Sequence, residues 1–111
     1  MLFRSEKCGS NWWITFLIKN IGTVTFESLS MSVEDTITHV TVTTQSNEFL
    51  WLGGCSKSNS VDKLSPGESH EVSSPAFSAD PDGHKMKATV NLCTLEDLGG
   101  TCISQTITFK P

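Results

Sequence analysis

Residues 11–24 read NWWITFLIKNIGTV, a pattern that predicts a long central strand followed by a tight turn. Side chains alternate between the two faces of a strand, so even-numbered positions share one face and odd-numbered positions the other. The even face is wholly apolar and is predicted to be buried, whereas the odd face is mixed and is predicted to be partly covered. Asn20 and Gly22 tolerate left-handed backbone angles, which predicts the turn. The even face carries Trp12, Ile14, Phe16 and Ile18, and the odd face carries Trp13, Thr15, Leu17 and Lys19.

The composition favours one all-β domain covering residues 1–111. Serine and threonine account for 28 of the 111 residues, and there is no tyrosine. No segment has the three- and four-residue apolar spacing of an amphipathic helix, whereas segments that alternate at period two recur about every ten residues. This spacing predicts a sandwich of seven or eight antiparallel strands. Trp12, Phe16 and Val90 are predicted to lie in its core.

The first half of the chain supplies the next predicted elements. Residues 26–34 are predicted to be the hairpin partner of the central strand, with a break near Glu27 because Phe26 and Leu29 differ in parity but are both apolar. Residues 36–45 form a thin, threonine-rich segment that is typical of a sheet edge. Residues 56–63 are rich in serine, lysine and asparagine, which predicts an exposed loop.

The second half is predicted to contain three strands separated by turns. Pro66 and Gly67 favour a type II turn, and residues 69–77, 84–93 and 102–110 are predicted to be strands. In the last of these, Ile103, Ile107 and Phe109 are predicted to face inward.

Four cysteines predict two disulfide bonds and an oxidising compartment. Cys93 and Cys102 are each predicted to lie on the outward face of their strand, and a short turn joins the two strands, which predicts a bridge across a hairpin. Cys8 then pairs with Cys55 by exclusion. The cysteine and histidine spacing does not fit a zinc site. The alternative is a cytosolic protein with four buried thiols, which is uncommon in a domain of this size.

The charge and the apolar segments restrict the partners. The net charge of -4 is spread along the chain, which disfavours nucleic acid and anionic membranes. No apolar run reaches the roughly 20 residues that span a bilayer, and residues 1–4 are too short for a signal peptide. We therefore interpret the chain as an excised module of a longer secreted protein, with Met1 as an expression start.

The order of these segments resembles bacterial immunoglobulin-like modules, namely cell-adhesion-related domains of the CARDB type and fibronectin-III-like modules of secreted proteins. The resemblance lies in residues 12–24, in the turn at 64–69 and in Asp82-Gly83-His84. The ending Leu98-Gly99-Gly100-Thr101-Cys102 with Thr106-Ile107-Thr108-Phe109 also resembles a group of extracellular modules from environmental bacteria. It implies an immunoglobulin-like sandwich on the bacterial surface, acting as a spacer or interaction domain. Its partners would be other domains of the parent protein, or a surface protein or glycan.

Two ligand sites are considered as alternatives. Asp80 and Asp82, with His84, could bind calcium if Glu96 and Asp97 lay at the same end of the sandwich, but an acidic turn that caps its own amides explains the pair without a metal.

Trp13 and Trp51 could stack on a sugar if they were exposed together on one face, although packing is the commoner role of such residues. The three histidines, His39, His70 and His84, are predicted to be surface residues.

No catalytic signature is present, because the chain has neither a nucleophile elbow nor a phosphate-binding loop. The sequence therefore predicts a non-catalytic module without a cofactor. A carbohydrate-binding module and a self-assembling surface subunit, paired through the edge strand at 36–45, are the alternatives.

Overall fold

The computed structural model describes the backbone of residues 2–111 and the side chains of residues 3–111. The interpretation of Met1 as an expression start lies outside these residues. The described part is all-β, and a short helical turn at Glu96–Leu98 joins its last two strands. Its nine strands are β1 (Leu2–Cys8), β2 (Asn11–Lys19), β3 (Ser28–Asp35), β4 (Val40–Ser46), β5 (Phe49–Gly53), β6 (Lys57–Val61), β7 (Ser69–Ser73), β8 (Met86–Leu95) and β9 (Gly99–Phe109).

The strands form antiparallel sheets in the arrangement of a β-sandwich. One sheet has the order β1-β2-β7, the facing sheet has the order β4-β3-β8-β9, and β5 and β6 form a separate hairpin. Apolar side chains of both larger sheets meet in a single core. The even face of β2 supplies Ile14, Phe16 and Ile18 to this core, and alternate residues of β3 and β8 supply most of the opposite side.

The predicted break near Glu27 is confirmed, because Phe26 and Leu29 are both buried. Phe26 forms an isolated bridge with Leu64, whereas the amide of Glu27 donates to the carbonyl of Cys93. The chain therefore changes sheets at this point. The prediction that residues 26–34 pair with the central strand is wrong, since β3 pairs with β4 and β8, while β2 pairs with β1 and β7. Alternation identifies the buried face of a strand but does not identify its neighbour.

The turn after β2 forms for a different reason from the one predicted. Neither Asn20 nor Gly22 has a positive φ. The buried Asn20 side chain instead donates to the carbonyl oxygens of Val24 and Leu64, at 2.7 and 3.0 Å, and accepts from the amide of Gly22 at 3.0 Å. The turn is thus fixed by side-chain hydrogen bonds.

Two further expectations about the middle of the chain are settled by the strand pairing. Residues 56–63 are exposed as predicted, but they are not a loop, because β6 pairs with β5 along its whole length. The threonine-rich strand β4 lies at the edge of its sheet, as predicted for residues 36–45.

The turn at Pro66 is also confirmed, since Gly67 has φ 83° and the amide of Glu68 donates to the carbonyl of Ser65.

Both predicted disulfide bonds are present, Cys8–Cys55 and Cys93–Cys102. Cys93 and Cys102 are direct partners in the β8–β9 register, with Cα atoms 4.1 Å apart. The other bridge joins the end of β1 to the turn between β5 and β6. No helix in the described part of the chain has the length and apolar character needed to cross a membrane.

Candidate functional site

The candidate site is an apolar opening between the two sheets, which we call the edge cleft. Its volume is about 620 Å³, within the range of ligand and peptide pockets. It is lined by Leu17, Ile18, Lys19, Asn20, Ile21, Gly22, Phe26, Val90, Leu92, Ile103, Ser104 and Gln105. Most of these residues are apolar, and Lys19 is the one charged residue among them.

The edge cleft lies where the described residues of the two edge strands on this side do not face each other. In the described register β1 begins at Leu2, opposite Leu17, whereas β9 continues in the facing sheet as far as Gly99. Next to the last residues of β2, the described part of β1 therefore leaves β9 uncovered. Further along the same edge, the rings of Phe3 and Phe109 close the sandwich with centroids 4.4 Å apart.

Two exposed apolar side chains mark the mouth of the edge cleft. Ile21 is 89% exposed and Ile103 is 56% exposed. Ile103 was predicted to face inward and does share the core-facing side of β9 with Phe109, but it is not buried. Among the described residues, no element faces β9 at this height, so alternation alone could not predict the exposure of Ile103. Exposed apolar side chains beside an apolar cleft are typical of a binding surface.

The outer side of β9 forms the second part of the site. β9 is the outer strand of its sheet, and no strand of the described residues pairs with its free edge. The eleven residues from Gly99 to Phe109 include no charged residue and no proline. An unpaired strand edge offers backbone donors and acceptors to another extended chain. The edge cleft and this free edge meet at Ile103, Ser104 and Gln105.

The tryptophan pair that was considered for sugar stacking is arranged differently from the sequence expectation. Trp13 is only 5% exposed because the β5–β6 hairpin lies over the outer face of β2. Its indole Nε1–H donates to the carbonyl of Leu52 at 3.0 Å and to Glu6 Oε2 at 3.3 Å. Trp51 is half-buried in the same hairpin. The two rings are therefore not exposed together on one face, which was the condition for a carbohydrate platform.

Trp12 does not lie in the predicted core. It is half-buried near the start of β2, where its backbone pairs with Phe77, whereas Phe16 and Val90 are buried as predicted. The even face is correct for Trp12, but burial also depends on how far the facing sheet extends.

The two acidic groups considered for calcium lie at opposite ends of the β8–β9 hairpin. Glu96 and Asp97 lie in its connecting turn, whereas the Asp80–Asp82 segment lies near the chain end, where the amide of Gly83 donates to the carbonyl of Pro111. Asp80 Oδ1 accepts a hydrogen bond from the amide of Asp82 at 3.0 Å, as in a self-capping turn. In the described residues, no three histidine, cysteine, aspartate or glutamate side chains are grouped as metal ligands.

The histidines differ from one another more than the sequence predicted. His39 is exposed, but His70 is half-buried and its Nε2 atom lacks a hydrogen-bond partner. His84 is paired with a buried carboxylate, since its Nδ1 atom lies 2.7 Å from Asp35 Oδ2. The prediction of surface histidines is therefore wrong for His84 and only partly correct for His70. The remaining oxygen of Asp35 accepts from backbone amides at the start of the β3–β4 turn, so the pair is part of the scaffold.

Comparison with known proteins returned no match, whether against protein-family models, curated proteins or solved structures. The likeness to bacterial immunoglobulin-like modules therefore stays a prediction from sequence. The edge cleft was not predicted, because its lining comes from segments that are distant in the chain. The exposed Ile21 in the polar turn and the uncharged run from Gly99 were the two signals that could have indicated it.

Proposed function

We propose that this chain is a non-catalytic extracellular module of a bacterial surface or secreted protein, and that it acts as an interaction domain through the edge cleft and the free edge of β9. A spacer role alone would require no exposed apolar opening. An opening of about 620 Å³ that meets an uncharged, unpaired strand is the observation that carries the proposal. Its ligand would be an extended peptide segment, which pairs with β9 and places apolar side chains in the cleft.

The strand order supports an immunoglobulin-like topology. In that fold, strands A, B and E share one sheet, and strands C, F and G share the other, with C′ added beside C in some members. The orders β1-β2-β7 and β4-β3-β8-β9 match A-B-E and C′-C-F-G when the strands are taken in chain order. The β5–β6 hairpin then occupies the place of the D strand and accounts for the count of nine.

The cysteines support an extracellular location. All four are paired, in one short and one long loop, with sequence separations of 9 and 47. Structural disulfide bonds of this kind persist in oxidising compartments and are rare in the cytosol. A surface or secreted parent protein therefore fits the bonding pattern.

Peptide selection tests the interaction role. A display library of random peptides is selected against the purified protein at low micromolar concentration, and the selected peptides are measured on the parent and on Ile103→Asp. We expect peptides with alternating apolar residues that bind the parent, bind Ile103→Asp at least tenfold more weakly, and slow amide hydrogen exchange in β9. If no peptide is selected, or if binding is the same for Ile103→Asp, the proposed role is wrong.

A further inference from the structure

The free edge of β9 lacks the usual protection against pairing with another strand. Natural edge strands are commonly protected by lysine, proline or a bulge. β9 contains no lysine or proline, and its register with β8 is continuous from the Cys93–Cys102 pair to the Met86–Phe109 pair, with the one irregularity lying beyond Cys93. Over this length the strand is regular and open to a partner.

The geometry of the disulfide pair identifies which backbone groups are available. The Cα atoms of Cys93 and Cys102 are 4.1 Å apart, a spacing typical of a non-hydrogen-bonded antiparallel pair. The amide and carbonyl of Cys102 therefore point away from β8, toward the free edge. Because strand geometry repeats every two residues along the regular part of β9, the same is true of Ser104 and Thr106.

The charges around β9 are complementary to a second, antiparallel copy of the same strand. Glu96 and Asp97 come just before β9, whereas Lys110 follows it. Lys87, opposite Thr108 on the neighbouring strand, is the direct partner of Glu34 and adds no net charge. When two β9 strands run antiparallel, the acidic end of each lies beside the basic end of the other.

The other edge of the same sheet, β4, is also free of charged residues but does not have this complementarity. Glu34 lies opposite Thr41 near the start of β4, and Glu48 follows its end. Because Glu34 is the direct partner of Lys87 on β8, the uncompensated charge at this edge is Glu48, and two antiparallel β4 strands would place no basic residue of β4 beside it. Pairing of β4 with β9 would place Glu48 near Glu96. The charges therefore favour β9 with β9.

We propose that two copies of this chain associate by antiparallel pairing of β9 with β9 around a two-fold axis at Ile103. The inference rests on the proposed function, because it names a second copy as the partner of the same edge. In this register Cys102 faces Ser104 of the second copy and the two Ile103 side chains face each other. The Lys110 end of each strand then lies at the same end of the pair as the Glu96–Leu98 turn of the second copy. The two four-stranded sheets then form one sheet of eight strands.

The pairing explains the exposed apolar residue on β9. Ile103 is 56% exposed at the mouth of the edge cleft, and its counterpart in the second copy would cover it from the open side. The interface is isologous, so it closes as a dimer and does not extend into a fibre. An interface made mainly by one strand per copy is small, so we expect a dissociation constant on the order of micromolar.

Sedimentation equilibrium over a wide concentration range, with three variants, tests the pairing. Ser104→Pro removes an amide that points to the free edge and leaves the ladder between β8 and β9 intact, which an edge strand tolerates. Ile103→Asp places a charge at the axis. Val40→Asp is the matched control, because Val40 is a similarly exposed apolar residue on the other edge. Circular dichroism and the melting temperature verify that each variant is folded.

We expect a reversible dimer for the parent and for Val40→Asp, and association at least tenfold weaker for Ile103→Asp and Ser104→Pro. Lys110→Glu and Glu96→Lys should each weaken the dimer, and their combination should restore it. A parent that stays monomeric at millimolar concentration, assembly beyond a dimer, or a dimer that Ile103→Asp leaves unchanged would overturn the pairing. A monomeric parent that still selects β9-binding peptides would reject the dimer but retain the proposed interaction role.

Discussion

His84 Nδ1 lies 2.7 Å from Asp35 Oδ2, and only 2% of Asp35 is exposed. The pair joins the end of β3 to the loop before β8. The other carboxylate oxygen accepts from the amides of Ile37 and Thr38, so one side chain fixes a turn and a loop. Burial alone would raise the pKa of Asp35, but the hydrogen bonds from His84 and from the two amides outweigh it and hold the pKa below its ordinary value of 3.8.

A lowered pKa makes Asp35 a source of acid-sensitive stability. A carboxyl group with a lower pKa in the folded state stabilises the fold above its unfolded pKa, and this contribution is lost as the pH falls through the folded value. We expect Asp35→Asn to be less stable than the parent at pH 5 and above. The difference should shrink as the pH falls below about 4. Urea unfolding between pH 6 and pH 2 measures it.

Glu71→Gln is the matched control for this prediction. The pKa of Glu71 is also lowered, by the hydrogen bonds from Arg4, but that pair lies on the surface, with Arg4 Nη2 2.6 Å from Glu71 Oε2. Surface ion pairs contribute little to stability. A stability difference for Asp35→Asn that is independent of pH, or one no larger than that of Glu71→Gln, would contradict the role given to Asp35.

Phe16 and Phe3 both pack against the ring of Phe109, but Phe16 is buried and Phe3 is partly exposed. Phe16 is 0% exposed and packs edge-on against Phe109 at a centroid distance of 5.7 Å, whereas Phe3 is 37% exposed on the edge strand. We expect Phe16→Ala to lower the free energy of unfolding by about 3–5 kcal/mol, because it leaves a cavity in the core. Phe3→Ala should cost about 1–2 kcal/mol, since about a third of the residue is already in water. Similar losses for the two variants in urea unfolding would show that the core is centred elsewhere.

Asn20 supports the floor of the edge cleft through buried hydrogen bonds. Asn20→Ala leaves the carbonyls of Val24 and Leu64 and the amide of Gly22 without this partner, so we expect a loss of about 2–4 kcal/mol. Asn47→Ala is the control, because Asn47 also makes two hydrogen bonds, both to Asp97 and both exposed to water. Thermal unfolding compares the two variants. Equal losses of stability for the two variants would mean that burial of the Asn20 amide does not increase its contribution to stability.

Those features of the fold that depend on residues within one strand, or on two neighbouring strands, were predictable from sequence. The even face of β2, the alternating face of β8 and the Cys93–Cys102 bridge across a short hairpin each depend on residues close in the chain. The partner of β3 was not predictable in this way, because its neighbours β4 and β8 were selected by the packing of the whole sheet. The paired strand β6 was missed because its serine, asparagine and lysine residues have low strand propensity.

The candidate site was less predictable than the fold. Trp13 is buried by a hairpin that lies about forty residues further along the chain, and Ile103 is exposed because the described β1 does not cover it. The burial of Trp13 and the exposure of Ile103 both depend on how far neighbouring strands extend over them. The alternation of side chains predicted the correct strand face for both residues. Whether another element packs over that face depends on the tertiary structure, which alternation within one strand does not reveal.

The Cys8–Cys55 bond and the indole of Trp13 hold the β5–β6 hairpin against β2 from two directions. The bond ties the tip of the hairpin to the end of β1, and the indole Nε1–H donates to the carbonyl of Leu52. The amide of Leu52 in turn donates to Ser73 Oγ at 2.9 Å. Phe49 and Val61 anchor the base of the hairpin in the core, and in the described residues few other polar contacts join its tip to β2 and β7, so loss of the disulfide should free the tip locally.

We therefore expect Cys8→Ala/Cys55→Ala to speed hydrogen exchange of the Trp13 indole N–H at least tenfold, measured by nitrogen-edited NMR. The same variant should lose about 4 kcal/mol of stability, because the bond closes a loop with a separation of 47 residues. Cys93→Ala/Cys102→Ala is the matched control: its separation of 9 residues predicts a loss of about 2.7 kcal/mol and an unchanged exchange rate at Trp13. If the exchange rate at Trp13 rises equally in both variants, exchange follows global unfolding and the hairpin is not an independent cover over β2.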